Sequence, residues 1–468
     1  MQKRKAEELS VSDSEREKKR RCRRSGRTGV LAAAVFLTVA GAAGCSGYKP
    51  ESHSGWEGGV CPDGKAEETE NGDALAERAK EPESMEIPDD KAKKMSSEAS
   101  EQAVKGENDG GRQDGREQAE KPEESENNSS EEMALPERYD AREEGRAAPV
   151  KDQGELGTCW AFASLQALEN SLLPDEVFDF SEDHMSKNPS FNLGQEYGGD
   201  YIMSMAYLLS WQGPVLEAED PYGDGISPSG LKPAKHVQEI RLLPSGDRKA
   251  IKQAVYESGG VQSALYTSLQ NRDSLSVYYN RESGAYCCPE EKTPNHDVVI
   301  IGWDDNYPAE NFTKEVPGDG AFLCENSWGT GFGTDGFFYV SYYDANLGKT
   351  AIQYKKTEDT DRYDRIYQSD LCGWIGQAGY GAETVWAVNV YTAESEEALE
   401  AAGFYATGEN SGYEVYVVRE LPQETDVLET SCFQQRELCA SGHLEYAGYY
   451  TIPLKQPVML KPGNGLES

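Results

Sequence analysis

One stretch constrains this chain more than any other: Lys151-Asp152-Gln153-Gly154-Glu155-Leu156-Gly157-Thr158-Cys159-Trp160-Ala161-Phe162-Ala163-Ser164. Gly154 and Gly157 permit backbone angles that other residues resist, so the first half reads as a loop. From Cys159 onward the turn signals stop, and Phe162, Leu165, Leu168 and Leu172 recur at helical spacing. Cys159 therefore opens a helix, where unpaired N–H groups and the helix dipole favour a thiolate. A buried cysteine at the start of a core helix would give the same apolar pattern, because free Cys packs as a small hydrophobe. Gln153 argues for chemistry instead. A tight turn brings its amide back beside the sulfur.

Two later motifs extend the set. Asn295-His296-Asp297-Val298-Val299-Ile300-Ile301-Gly302-Trp303 is an apolar, β-branched run bounded by Asn and Gly. It predicts a buried strand with His296 at its entrance. Gly320-Ala321-Phe322-Leu323-Cys324-Glu325-Asn326-Ser327-Trp328-Gly329 follows, then a strand over Phe337 to Tyr343. His296 lies about 140 residues after Cys159, and Asn326 about 30 further on, which fits a nucleophilic Cys with a distant His and Asn.

These residues resemble the papain-like cysteine peptidases, whose segment Gln-Gly-x-x-Gly-x-Cys-Trp-Ala-Phe is matched by Gln153, Gly154, Gly157, Cys159, Trp160, Ala161 and Phe162. Leu135-Pro136-Glu137-Arg138-Tyr139-Asp140 looks like the start of the mature enzyme in that family. Gly198-Gly199 and Pro221-Tyr222 follow its order. One departure is clear. The positions where the family forms a disulfide carry Leu156 and Glu196, so that bridge is absent by sequence.

The resemblance implies an α+β, two-lobed fold, a helical lobe plus a β-barrel lobe, over residues 134–356. It also implies roles. Cys159 would be the nucleophile, His296 the base and acid, and Asn326 the holder of the imidazole. Trp328 would shield that hydrogen bond, and the Gln153 amide would join the Cys159 N–H at the oxyanion. Family members hold the thiol at about 3–4, well below the free value near 8.5. That difference is worth about 6 kcal/mol, and a helix terminus supplies at most about 2. A protonated His296 would supply most of the rest, giving a thiolate–imidazolium pair. Gly198, Gly199, Asp200, Tyr201 and Asp297 would border the substrate pocket, and the carboxylates suggest a basic, or at least a polar, residue next to the scissile one. One or both carboxylates facing solvent or pairing internally is the competing expectation. No metal or organic cofactor is required.

The N-terminal part reads differently. Residues 1–29 are rich in Lys and Arg, and an uncharged run, Val30 to Gly44, follows. The run is too short for a comfortable membrane span and suits an export signal. It ends Ala42-Ala43-Gly44-Cys45, which resembles the lipobox of bacterial lipoproteins, with Cys45 lipidated as the mature N-terminus. An ordinary cleaved signal or an uncleaved anchor are the alternatives. Residues 46–133 are acidic and polar, with too little apolar surface to offset ordering, and predict a disordered stalk. The net charge of −37 excludes nucleic-acid binding through a basic surface.

After charged residues through Asp364, read as a linker, short strands alternate with turns: Trp386 to Tyr391, Gly403 to Tyr405 and Tyr413 to Val417. They predict an all-β sandwich over 357–468. It resembles the lectin-like domain that follows some bacterial papain-like peptidases, and it implies carbohydrate as a partner. The last residues stop where a further core strand is expected, which would leave an open edge. Weaker candidates are set aside. Cys287-Cys288 lies in a loop. Cys432, Cys439 and His443 are one ligand short of a structural zinc site. Asp304-Asp305-Asn306 lacks EF-hand spacing. His184 and His236 lack catalytic neighbours.

The expectation is an exported cysteine-type peptidase, lipid-anchored at a bacterial cell surface or secreted, acting on extracellular protein. Two rivals use the same sequence: an adhesin with a silent peptidase fold, and a thiol-dependent transpeptidase.

Overall fold

The computed structural model describes residues 134–377, 384–419 and 434–462, together with the backbone of residues 32–41. The acidic stretch expected as a stalk, Cys45 and Cys432 lie outside them.

The helical lobe holds α1 (Cys159–Leu172), α2 (Glu182–Lys187) and α3 (Tyr201–Leu209). Residues Trp160 to Asn170 of α1 are all buried, which is the mark of a helix enclosed on every side. Pro174 stops it, because proline cannot continue a helix. A fourth helix, α4 (Arg248–Ser258), turns Ala250, Ile251, Ala254 and Val255 inward. The Asp247 carboxylate caps it by accepting from the Lys249 and Ala250 N–H groups at 3.0 Å, and Gly259 closes it in the left-handed conformation.

Strand β1 (Ala32–Gly41) belongs with the C-terminal strands. The β lobe contains β2 (Arg138–Asp140), β3 (His236–Leu242), β4 (Val261–Leu265), β5 (Tyr279–Asn280), β6 (Ala285–Tyr286), β7 (His296–Asp304), β8 (Ala321–Glu325), β9 (Phe337–Ser341) and β10 (Ala351–Glu358). They are ordered β3-β10-β4-β7-β8-β9-β6-β5, with β2 pairing β7. β7 is the predicted strand. It carries Val298 to Trp303 buried between β4 and β8 and packs against α1. The start of α1 and the start of β7 thus meet where the two lobes meet.

The C-terminal part is all β: β11 (Thr384–Thr392), β12 (Glu397–Ala406), β13 (Ser411–Val418), β14 (Glu437–Leu444) and β15 (Ala447–Leu460). Val415, Val417, Cys439 and Ala440 from one sheet pack against Ala402, Leu454, Val458 and Leu460 from the other. Two features depart from expectation. First, this part is joined to the protease lobes by strand pairing beyond the irregular segment that follows β10. β10 runs through Glu358, and β15 pairs with β3, from Ala447 opposite Leu242 to Tyr450 opposite Glu239. An edge strand has unpaired N–H and C=O groups, and β15 supplies partners to those of β3. Second, β11 and β13 do not pair with each other; β1 lies between them, with Val35 opposite both Asn389 and Val417. Residues 32–41 of the apolar run that reads as an export signal are thus an interior strand of this sheet.

Candidate active site

Cys159 is the first residue of α1, with Thr158 as N-cap. The backbone N–H groups of Asp297, Trp160 and Cys159 itself favour the thiolate. Burial dominates nonetheless. It pushes the thiol up to about 12, with the Asp297 carboxylate adding repulsion and the three N–H groups opposing.

His296 opens β7, buried under Trp328 with ring centroids 4.8 Å apart. Its Nε2 lies 2.8 Å from Asn326 Oδ1. That oxygen can only accept, so Nε2 carries the proton and Nδ1 of the neutral ring is the free base. Asn326 follows β8 and is itself fixed. Its N–H donates to the Gly336 carbonyl at 3.0 Å, and Oδ1 also accepts from the Ser327 N–H at 2.9 Å. Burial pushes the imidazole down to about 4, with the Asn326 hydrogen bond opposing.

Each charge alone is disfavoured, because each group has lost its water, so a thiolate–imidazolium pair would form by moving one proton from sulfur to ring.

Gln153 is buried and anchored at both ends of its amide. Oε1 accepts from Ser327 Oγ at 2.6 Å, and Nε2 donates to the Leu156 carbonyl at 2.7 Å. One Nε2 proton remains. The loop is also stitched through its backbone: the Gln153 N–H donates to the Ser327 carbonyl at 2.8 Å and the Gly329 N–H to the Lys151 carbonyl at 3.0 Å.

Gly198 and Gly199 run close beside this loop. A Cβ on Gly157 would lie 2.7 Å from the Gly198 nitrogen, and one on Gly199 would lie 2.5 Å from Trp160 Nε1. Larger residues cannot pass there. Where the family's disulfide would join the two segments, the Gly157 N–H donates to the Gln195 carbonyl at 2.9 Å. The predicted pocket residues divide. Asp200 is the N-cap of α3, accepting from the Ile202 N–H at 2.9 Å. Tyr201 is the first residue of that helix. Asp297 accepts from Gln262 Nε2 at 2.8 Å, and burial, with the Asp200 carboxylate as a further cause, pushes it up to about 6.

Sequence reasoning missed one buried cluster. Lys151 Nζ lies 2.8 Å from Glu169 on α1, from Glu182 on α2 and from Asp179. A lysine with that many carboxylates stays charged far above its usual range, through Glu182 and Glu169 acting against burial. It pins the Gln153 loop to two helices. No spacing signals it, because the three carboxylates come from separate elements.

The weaker candidates have structural explanations. Asp304 Oδ1 accepts from the Asn306 N–H at 2.9 Å, a local turn, and Asp305 pairs with Lys252. His184 meets the Tyr207 hydroxyl at 2.6 Å, and His236 stacks on Trp211 at 3.8 Å. Cys287, Cys288 and Cys439 are buried thiols, and no group of three or more metal-ligating side chains occurs among the described residues. No described helix is long and apolar enough to cross a membrane.

Comparison with known proteins follows this geometry. The model of the papain family cysteine protease matches residues 135–356, and that of the lectin like domain matches residues 366–466. Cathepsin K of Gallus gallus is 34% identical over 217 residues, 44% of this chain and 59% of its own. Cysteine proteinase B of Leishmania mexicana is 29% identical over 217 residues, 44% of this chain and 45% of its own. The chain thus spans 59% or less of the length of these relatives. Among solved structures, the clostridial cysteine protease Cwp84 after propeptide cleavage is 26% identical with a TM-score of 0.57, covering 71% of this chain and 81% of that one. The cysteine protease and lectin-like domains of Cwp84, a surface layer associated protein of Clostridium difficile, give the same identity and TM-score over 72% and 73%. Residues 135–356 therefore match a papain family cysteine protease domain, followed over residues 366–466 by a match to a lectin like domain.

Proposed function

We propose that the chain hydrolyses peptide bonds through Cys159, His296 and Asn326. The observation that carries this reading is the His296–Asn326 hydrogen bond at 2.8 Å, beside a cysteine whose sulfur faces backbone N–H groups at a helix start. The thiol proton passes to His296 Nδ1 as sulfur attacks the carbonyl carbon. The oxyanion takes the Cys159 N–H and the spare Gln153 Nε2 proton. On collapse the C–N bond breaks, His296 returns its proton to the leaving amine, and a thioester remains. Water, deprotonated by His296, then releases the acid and restores the thiol. Trp328 keeps water off the His296–Asn326 bond.

Oxygen labelling separates this reading from its rivals. In water enriched in ¹⁸O, hydrolysis by the full chain places label in the new carboxyl group, and Cys159→Ala yields no product. Unlabelled ligated peptides would instead make it a transpeptidase, and no product from either protein would favour the adhesin.

Asp297 supports a preference for a basic residue next to the scissile one, and the reading carries a pH signature. Asp297 titrates near about 6 and His296 near about 4. Attraction to a basic side chain is present above the Asp297 value and lost as pH falls through it. The kcat/KM for a peptide with Lys or Arg there should fall below about pH 6. An apolar peptide should remain a substrate until the Cys159–His296 unit takes up a second proton near about 4. Asp297→Asn should make the two profiles coincide. Equal profiles in the unaltered protein would remove Asp297 from specificity.

By likeness to a surface layer associated protein, the substrate is assigned to extracellular or cell-surface protein, with carbohydrate as a partner of the lectin-like domain. The run before Cys45 supports export with lipidation at that residue. Cleavage there would remove β1 and open a strand-wide slot between β11 and β13. The intact mass of the membrane-extracted protein decides this: a diacylated chain starting at Cys45 supports the anchor, and a chain retaining Ala32–Gly41 refutes it.

A further inference from the structure

Tyr222 lies outside every residue given a role above. Its hydroxyl sits on the loop that joins Gln153 to Cys159. It donates to the Gln153 carbonyl at 2.9 Å and lies 2.7 Å from Thr158 Oγ1. A phenol has one proton, and burial keeps this one on, pushing its titration up to about 12. A carbonyl can only accept, so that proton belongs to the Gln153 bond. Thr158 must then be the donor of the second bond. The relay runs from the Thr158 hydroxyl to the Tyr222 hydroxyl to the Gln153 carbonyl. The ring itself is fixed, edge-on to Phe162 with centroids 4.8 Å apart, and the Tyr222 N–H donates to Glu217 Oε1 at 2.8 Å.

Thr158 is the N-cap of α1. A threonine there ordinarily accepts from the N–H of the second or third helical residue, here Trp160 or Ala161. Thr158 makes no such side-chain bond. Its backbone, at φ −104° and ψ 13°, lacks the extended conformation of a capping residue, its carbonyl accepts from the Ala161 N–H at 2.9 Å, and its hydroxyl is turned to Tyr222.

We propose that Tyr222 is a positioning residue: one hydroxyl ties the two ends of the loop carrying the oxyanion donor, the Gln153 carbonyl and the Thr158 hydroxyl, so that the Gln153 amide is held in place beside the start of α1. It touches no reacting atom, and its effect on turnover rests on the cysteine-peptidase reading.

Tyr222→Phe in the full chain keeps the ring and removes both bonds. The expected result is a fall in kcat of at least fivefold with KM within twofold and the melting temperature within a few degrees. Amide hydrogen exchange across residues 154–157 should speed up in Tyr222→Phe, because the loop has lost its tie. Thr158→Val keeps the Gln153 bond, and should lose less kcat than Tyr222→Phe and exchange closer to the unaltered chain. Unchanged loop exchange in Tyr222→Phe would overturn the proposal, as would a loss confined to KM or equal losses for the two single variants. The exchange measurement needs no peptide turnover. A chain that cleaves nothing but shows faster loop exchange would refute the peptidase reading and leave the clamp standing.

Discussion

His296→Ala is expected to lower kcat by about 10²–10⁴-fold, a larger effect than any other single change outside the nucleophile. The reason lies in burial. Burial pushes the thiol up to about 12, so a thiolate at neutral pH needs a partner to take the proton. On the proposed reading that partner is His296, whose Nε2 is held by Asn326 so that Nδ1 is free. Removing the ring also leaves the leaving amine without an acid. The variant should therefore lose alkylation of Cys159 at neutral pH along with turnover. Both should recover toward alkaline pH, where solvent can take the thiol proton. Because the ring is buried under Trp328, melting temperature is measured beside activity, and a folded variant with unchanged kcat would remove His296 from the chemistry.

Gln153→Ala is expected to cost about 10²–10³-fold in kcat, the usual loss for one oxyanion donor, about 2.7–4 kcal/mol. The amide is held by Ser327 Oγ and the Leu156 carbonyl, so it points one proton without reorganising when charge develops. KM should change little, because that charge is absent from the bound substrate. Gln153→Glu is a sharper version. A carboxylate can keep the Ser327 bond but offers no proton and repels the oxyanion, so its loss should equal or exceed that of alanine. A kcat fall matched by an equal rise in KM would point to substrate binding instead.

Much of the fold was legible because it rests on local signals. The helix starting at Cys159, the strand starting at His296, the helix near Ile251 and the C-terminal strands each announce themselves by apolar period and by flanking turn residues. The candidate site residues could be named because glycines and aromatics around them form a recognisable pattern, and the structure brings His296 and Asn326 within hydrogen-bond distance. What escaped was set by contacts between distant segments. That Asp200 caps α3 is decided by where that helix begins, and that Asp297 bonds Gln262 is decided by how β7 pairs with β4. The Lys151 cluster joins charges from three elements. The continuity of β15 with β3 and the placing of β1 between β11 and β13 are pairings that no sequence period encodes. Desolvation of the Cys159–His296 pair was invisible for the same reason: it depends on how the lobes close over the site.

The most direct measurement is cleavage of a mixed peptide library by the purified full chain beside its Cys159→Ala variant. The structure predicts cleavage by the unaltered chain alone, with cut sites enriched in a basic residue one position before the scissile one. Cleavage by neither folded protein, or by both equally, would contradict a peptidase built on Cys159.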